Sequence, residues 1–382
     1  MKLSFHCSVI ICVRGAAKSQ PELVCLISPE SVVPKNHPIR QVKKDIDQVL
    51  RDMGGLFDEM YAEQGRPSIP PERLLKAKVL IALYSVRSEN LFVEQLHYNL
   101  LFRWFLDMDL SEEVFDNSTF SKNQERFFKH GTVDLFFDKV VELARERRWI
   151  SEEHFTVDGT LIEAWASLKS FAPKDQTERK DDGDPGNPTV DFKGQKRSNA
   201  THQSTTDPES RLYKKGPGKE AKLCFGAHAL MENRHGLCVN LTVRCATGET
   251  EPSVAQEQMA EHRERHATNP LSVGADKAYH TREFVENCRQ QGIAPHVAQV
   301  EGRKTSGLDG RTTRSKGYET SQRVRKKVEE IFGWMKTIGG FRKTRFRGIK
   351  RTNMSAKMVG AAYNLLRMAK LGMSPPAVAA LS

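Results

Sequence analysis

The chain has 382 residues, 38% hydrophobic and 28% charged, with a mean hydropathy of −0.55. That length holds two or three domains of ordinary size and excludes a bare peptide motif or a disulfide-stapled miniprotein. No run approaches the roughly 18 apolar residues of a membrane span, and the formal net charge of +11 is equalled by residues 301–351 alone, which carry 16 Lys and Arg against 5 Asp and Glu. A basic segment beside a neutral remainder points to a polyanion, most often nucleic acid, the plain alternative being a solvated basic loop.

Residues 1–33 read as an N-terminal extension. The apolar run 3–13 behind Lys2 imitates a signal peptide, with Ala16-Ala17 as a cleavage region, but an extension of no structural weight explains it more simply. Seven cysteines without a C-x-x-C pair argue against a disulfide framework or a zinc ribbon and favour a reducing cytoplasm.

Residues 34–149 read as an all-α domain for DNA binding or dimerisation. Pro70-Pro71-Glu72 opens a helix whose stripe is Leu74, Leu75, Val79, Leu80 and Leu83. A second helix is expected over 90–106, and the Asp116-Asn117-Ser118-Thr119 cluster caps a third through Phe127 and Phe128. A last helix follows over 132–148. Successive short helices suit either a helix-turn-helix or plain core packing.

Residues 150–340 switch period. Phe155, Val157 and Leu161 alternate with polar residues, predicting a strand that carries Asp158. Residues 172–222 are rich in Asp, Lys, Gly, Pro, Ser and Thr and read as a flexible insertion, with Gly216-Pro217-Gly218-Lys219 as linker rather than phosphate loop. Runs 223–231 and 237–245, parted by Asn233-Arg234-His235-Gly236, predict a hairpin. A helix over 252–266 leads to strand 271–275 and its terminal Asp276, then helix 281–291, strand 293–298, a basic loop and helix 322–337. That order fits a mixed sheet with the ends of its first and fourth long strands close together.

Asp158 and Asp276 sit at apolar strands, where an unpaired carboxylate is costly. Glu329 lies beside the stripe of the last helix, with Arg325 and Lys336 on nearly its own face. Singly these are strand-end caps and a surface ion pair. Together, beside a basic segment, three acids can hold two hard cations through oxygen ligands for phosphoryl transfer. Twelve histidines include no H-E-x-x-H motif, and His228, His235 and His280 read as satisfied or exposed. Phe332 and Trp334 suit helix packing or base stacking. In residues 341–382, Phe341-Arg342-Lys343-Thr344-Arg345-Phe346-Arg347 interleaves aromatics with cations in a manner that suits DNA, ahead of an amphipathic helix bearing Met358, Val359, Ala362, Leu365 and Leu366.

These blocks resemble the DDE transposases of bacterial insertion sequences, in the group related to insertion sequence five. Gly65-Arg66-Pro67-Ser68-Ile69-Pro70-Pro71-Glu72 and Asp116-Asn117-Ser118-Thr119-Phe120-Ser121 look like that group's helical N-terminal domain. Thr156-Val157-Asp158-Gly159-Thr160, Gly274-Ala275-Asp276-Lys277-Ala278-Tyr279 and the stretch from Arg325 through Glu329 to Lys336 look like its three acidic blocks. The resemblance implies an α/β, RNase H-like mixed-sheet catalytic domain after an all-α domain. It implies Asp158, Asp276 and Glu329 as a catalytic triad binding two Mg²⁺ or Mn²⁺ ions, with Glu330 as the rival third acid. It further implies Arg325 and Lys336 as contacts to the element's end DNA; Arg342, Lys343, Arg345 and Arg347 join them as DNA-binding candidates from the aromatic-basic pattern of their own segment. The family often has Tyr three positions before that Arg, where this chain has Gln322, with Tyr318 a turn earlier. The expected function is a cytoplasmic, magnesium-dependent DNA transposase, active in DNA recombination. It binds terminal inverted repeats and target DNA as a homodimer, away from any membrane. A non-catalytic DNA-binding repressor and an RNase H-like nuclease are the alternatives.

Overall fold

The computed structural model describes residues 28–61, 68–174, 198–214, 220–247, 250–300 and 307–373. The signal-like run, the Gly65-Arg66-Pro67 block, and residues 175–197 and 215–219 of the expected insertion lie outside the described residues.

The N-terminal region is all helix: α1 (Pro29–Val32), α2 (Pro38–Asp52), α3 (Gly54–Met60), α4 (Pro71–Leu83), α5 (Glu89–Leu96), α6 (Leu100–Phe105), α7 (Ser118–Lys129) and α8 (Thr132–Glu146). Pro71 stands in the first turn of α4, where its missing N–H costs nothing. The helix expected over 90–106 is two. Asn99 leaves the helical conformation and its Oδ1 accepts from Phe102 N at 3.1 Å, so a polar side chain restarts the ladder as α6.

The second region contains β1 (His154–Glu163), β2 (Phe171–Pro173), β3 (His202–Ser204), β4 (Arg211–Lys214), β5 (Ala221–Glu232), β6 (Leu237–Cys245), α9 (Thr250–His266), β7 (Ser272–Ala275), α10 (Arg282–Gln290), β8 (Ala294–Val297), α11 (Gly310–Thr313), α12 (Lys316–Val324), α13 (Lys327–Thr337) and α14 (Ile349–Met373). The main sheet runs β4-β5-β1-β7-β8, with β6 also on β5. β1 is antiparallel to β5 and parallel to β7, and β7 is parallel to β8. An all-α region followed by this mixed sheet is an RNase H-like architecture. Leu223 to Glu232 is buried without interruption, so β5 is covered on both faces, which explains its unbroken apolar run.

Within the segment whose composition suggested an insertion, β3 pairs with β2 and β4 pairs with Ala221–Cys224 of β5. Its order rests on polar groups. Ser204, Asp207 and Ser210 are buried, Ser204 Oγ accepts from Asp207 N at 3.0 Å, and Asp207 accepts from Gly348 N at 3.2 Å. Packing by mutually satisfied polar side chains leaves no hydrophobic period to read.

The expected helix over 322–337 is interrupted at Arg325 and Lys326. Both residues keep right-handed helical angles, but Val328 N bonds to Arg325 O and Glu329 N to Lys326 O, so the ladder tightens by one residue between α12 and α13. The C-terminal helix is more buried than an amphipathic surface helix. Small residues Ala356, Gly360, Ala361, Ala362 and Ala369 let α14 lie close against β6, α8, α2 and α4. Among the described residues, no helix is long and apolar enough to cross a membrane.

Candidate active site

Three separate elements bring acids to one pocket of about 390 Å³. Asp158 comes from the middle of β1, half-buried, with Oδ1 accepting from Gly159 N at 2.8 Å. Asp276 follows β7 directly. Because β7 runs parallel to β1 with Gly274 opposite Thr156, the end of β7 arrives beside Asp158. Asp276 Oδ1 accepts from Ala278 N at 2.8 Å, fixing the turn after the strand. Glu329 projects from the first turn of α13 and is exposed to the same pocket.

Burial, reinforced by the charges of Asp276 and Glu329, pushes the Asp158 carboxyl up to about 6, against the Gly159 bond and the positive charge of Arg325. Arg325 thus keeps its place by the acids although it caps the end of α12 and lies outside the helix of Glu329. Among the described residues, its buried Nε has no hydrogen-bond partner. Lys336, in the last turn of α13, donates from Nζ to Thr160 Oγ1 at 2.5 Å, two residues beyond Asp158.

The neighbouring acid Glu330 turns elsewhere and pairs with Arg367 of α14 at 3.3 Å. Gln322 and Tyr318 also face away. Gln322 bonds to His296 O and Tyr318 Oη donates to Val297 O at 2.9 Å, so both tie α12 to β8. Phe332 lines the acidic pocket, whereas Trp334 meets Tyr363 edge-on at 5.7 Å between ring centres.

The basic segment is docked on the far end of β1. Glu163 N donates to Arg342 O at 3.0 Å and Thr344 N to Glu163 O at 2.8 Å, a parallel bridge that buries Thr344 and leaves Arg342, Lys343, Arg345 and Arg347 exposed. Among the described residues, none of these four cations has a carboxylate within ion-pair distance. Lys343 stands 5.6 Å from the ring of Trp165, which is 50% exposed. Glu163 is five residues from Asp158, so about 17 Å of strand separates the cations from the acids.

Sequence reasoning passed over two residues here, Glu251 and Trp165, and misread a third, His228. Glu251, in the first turn of α9, lines the acidic pocket. An acid at a helix start is ordinary, which hid it. His228, opposite Gly159 on β5, is buried, and among the described residues neither ring nitrogen has a partner, so it is not satisfied or exposed as the sequence suggested. Burial, then the charge of Arg244, holds its imidazole down at about 4, so it is neutral. Trp165 lies beyond β1, outside any aromatic-basic run.

A pocket of carboxylate oxygens suits hard cations by charge and by ligand type. Among the described residues, no three His, Cys, Asp or Glu side chains converge closely enough to hold a single ion directly. The donor set therefore fits ions that keep part of their water shell, as Mg²⁺ commonly does.

Residues 149–365 match the family model described as the transposase DDE domain, and residues 27–126 match the transposase domain DUF772. The chain belongs to the DDE transposase family. No curated protein sequence matches it. Among solved structures, this DDE-family chain is similar to the piggyBac transposase synaptic complex with hairpin DNA, at 11% identity and a TM-score of 0.39 over 87% of this chain and 74% of that one. Similarity to the Mos1 transposase paired-end complex with left transposon end is at 10% identity and TM-score 0.20, over 74% and 82% of the two chains. For a pre-cleavage Mos1 transpososome the values are 10% and 0.19, over 81% and 82%.

Proposed function

We propose that the chain is the cytoplasmic transposase of a bacterial insertion sequence related to insertion sequence five. It binds the element's terminal inverted repeats as a homodimer, cleaves a DNA phosphodiester, and joins the resulting 3′-hydroxyl to target DNA. The observation that carries this reading is the pairing of an acidic pocket with four exposed cations that have no carboxylate partner among the described residues: Asp158 lies in the middle of β1 and the segment of Arg342 and Lys343 is bridged to its end.

Asp158, Asp276 and Glu329 would hold two divalent cations, which when bound neutralise phosphate charge and make water more acidic. Arg325 offsets part of the carboxylate charge beside Asp158. Lys336 fixes α13, and with it Glu329, against β1. The exposed cations would grip phosphates outside the pocket, and Trp165 offers a face on which an unpaired base can stack. A larger pocket of about 560 Å³ between the N-terminal helices and residues 337–346 is also lined by Arg87, Lys343 and Arg345, among mostly apolar residues and Glu89.

The test is cleavage and joining of labelled inverted-repeat DNA with Mg²⁺ or EDTA, using wild type and Asp158→Ala. Nicking and strand-transfer products that need Mg²⁺ and vanish in Asp158→Ala support the proposal. Specific binding without cutting by either protein would make the chain a DNA-binding repressor, and cutting without joining would make it a nuclease.

A further inference from the structure

We propose that Glu251 is a fourth acid of the pocket, sharing a divalent cation with Asp158 and Asp276, and that the His228 imidazole hydrogen-bonds to the water shell of that cation. The inference rests on the reading of this pocket as a cation-dependent site and adds two residues that the three acidic blocks do not contain.

Two glycines show how the space is reserved. A Cβ on Gly159 would stand 3.0 Å from Glu251 Oε1 and 3.1 Å from His228 Nδ1. The carboxylate and the imidazole therefore converge on one point beside Asp158 and lie at most about 6 Å apart, a span that one water bridges. On the other side of the ring, a Cβ on Gly226 would come within 2.8 Å of His228 Nε2. The imidazole thus fits only because neither strand carries a side chain at these two places.

Nothing in the fold explains why His228 is there as a histidine. It is 3% exposed, and among the described residues neither buried nitrogen has a hydrogen-bond partner, a costly arrangement for a group with one donor and one acceptor. It lines the same pocket as the acids, and a water held there would satisfy it. Glu251 is coupled to the same centre. Burial, then the charges of Asp276 and Asp158, push its carboxyl upward, so the pocket concentrates negative charge that a cation relieves. A partly hydrated cation needs only one or two direct carboxylate ligands, so it does not require three side chains to converge.

The rival is a purely structural role, in which Glu251 favours the positive end of α9. Mn²⁺ binding to the full-length chain without DNA, followed by the spectroscopic signal of free Mn²⁺ and by melting temperature, separates the two. The isosteric Glu251→Gln should melt at or above wild type without metal, because repulsion is relieved. Its Mn²⁺ affinity should fall about tenfold or more. His228→Phe, which keeps the ring and removes both nitrogens, should also bind Mn²⁺ more weakly.

Three results would overturn the proposal. If Glu251→Gln melts below wild type without metal, the helix-end role is the correct one. If Glu251→Gln and His228→Phe bind Mn²⁺ like wild type while Asp158→Asn does not, the proposal falls and the reading of the pocket stands. If wild type itself binds no Mn²⁺, both fall.

Discussion

Lys336 Nζ and Thr160 Oγ1 lie 2.5 Å apart, tying the last turn of α13 to the strand that carries Asp158. The helix bearing Glu329 is thereby pinned to β1 from its opposite end. Thr160→Val removes the acceptor at nearly constant volume. It should cost about 1–2 kcal/mol, because the bond involves a charged donor in a half-buried place. Urea unfolding checks this: the midpoint should fall with an unchanged slope. An unchanged midpoint would mean that the tie contributes nothing.

The close seat of α14 is equally open to test. A Cβ on Gly360 would stand 2.9 Å from Leu241 Cδ2 and 3.2 Å from Phe137 Cε2, both in buried residues. Gly360→Ala gains up to about 1 kcal/mol of helix propensity, but overpacking at such a contact costs about 1–3 kcal/mol. The net expectation is a lower melting temperature. A higher one would show that β6 and α8 yield to α14 easily.

Stability should also fall in acid through Glu152, which joins α8 to α9. Burial opposes its ionisation. The 3.0 Å hydrogen bond with buried His262 and the charge of Arg145 outweigh that and hold the carboxyl at about 2, below its ordinary 4.5. With the folded value depressed, the stabilisation is complete above 4.5 and is lost as pH falls toward 2. The melting-temperature difference between wild type and Glu152→Gln should therefore be largest above pH 5 and shrink toward pH 2–3. A difference that stays constant would dissociate Glu152 from the acid response.

The four exposed cations of the basic segment predict a salt effect. Replacing Arg342, Lys343, Arg345 and Arg347 together by Ala removes only side chains, since the bridge to Glu163 is made by backbone atoms. If all four meet phosphates, the slope of log affinity against log salt should shrink by roughly 3 to 4, with each replacement changing stability by less than about 0.5 kcal/mol. An unaltered slope would place DNA elsewhere on the surface.

Much of the frame is legible in the residues. The alternating run around Asp158, the hairpin at Asn233-Arg234-His235-Gly236 and the strand ending at Asp276 each have a local signature, and the sheet assembles them as expected. The places that escaped are those where contacts between distant segments decide. No Gly or Pro marks the tightening at Arg325 and Lys326. Order in β4 depends on Asp207 meeting Gly348, 141 residues away. Glu251 reaches the pocket only because α9 starts beside β1, and His228 alternates with apolar neighbours like any strand residue. The small-residue run in α14 was the available sign of burial on several sides.

The most direct test of the account compares two adjacent acids. Glu329 faces the pocket and Glu330 pairs with Arg367. Mg²⁺-dependent nicking of labelled inverted-repeat DNA should be abolished by Glu329→Gln and retained near the wild-type rate by Glu330→Gln. Activity that survives Glu329→Gln, or that is lost only in Glu330→Gln, would contradict the assignment of this pocket as the site of chemistry.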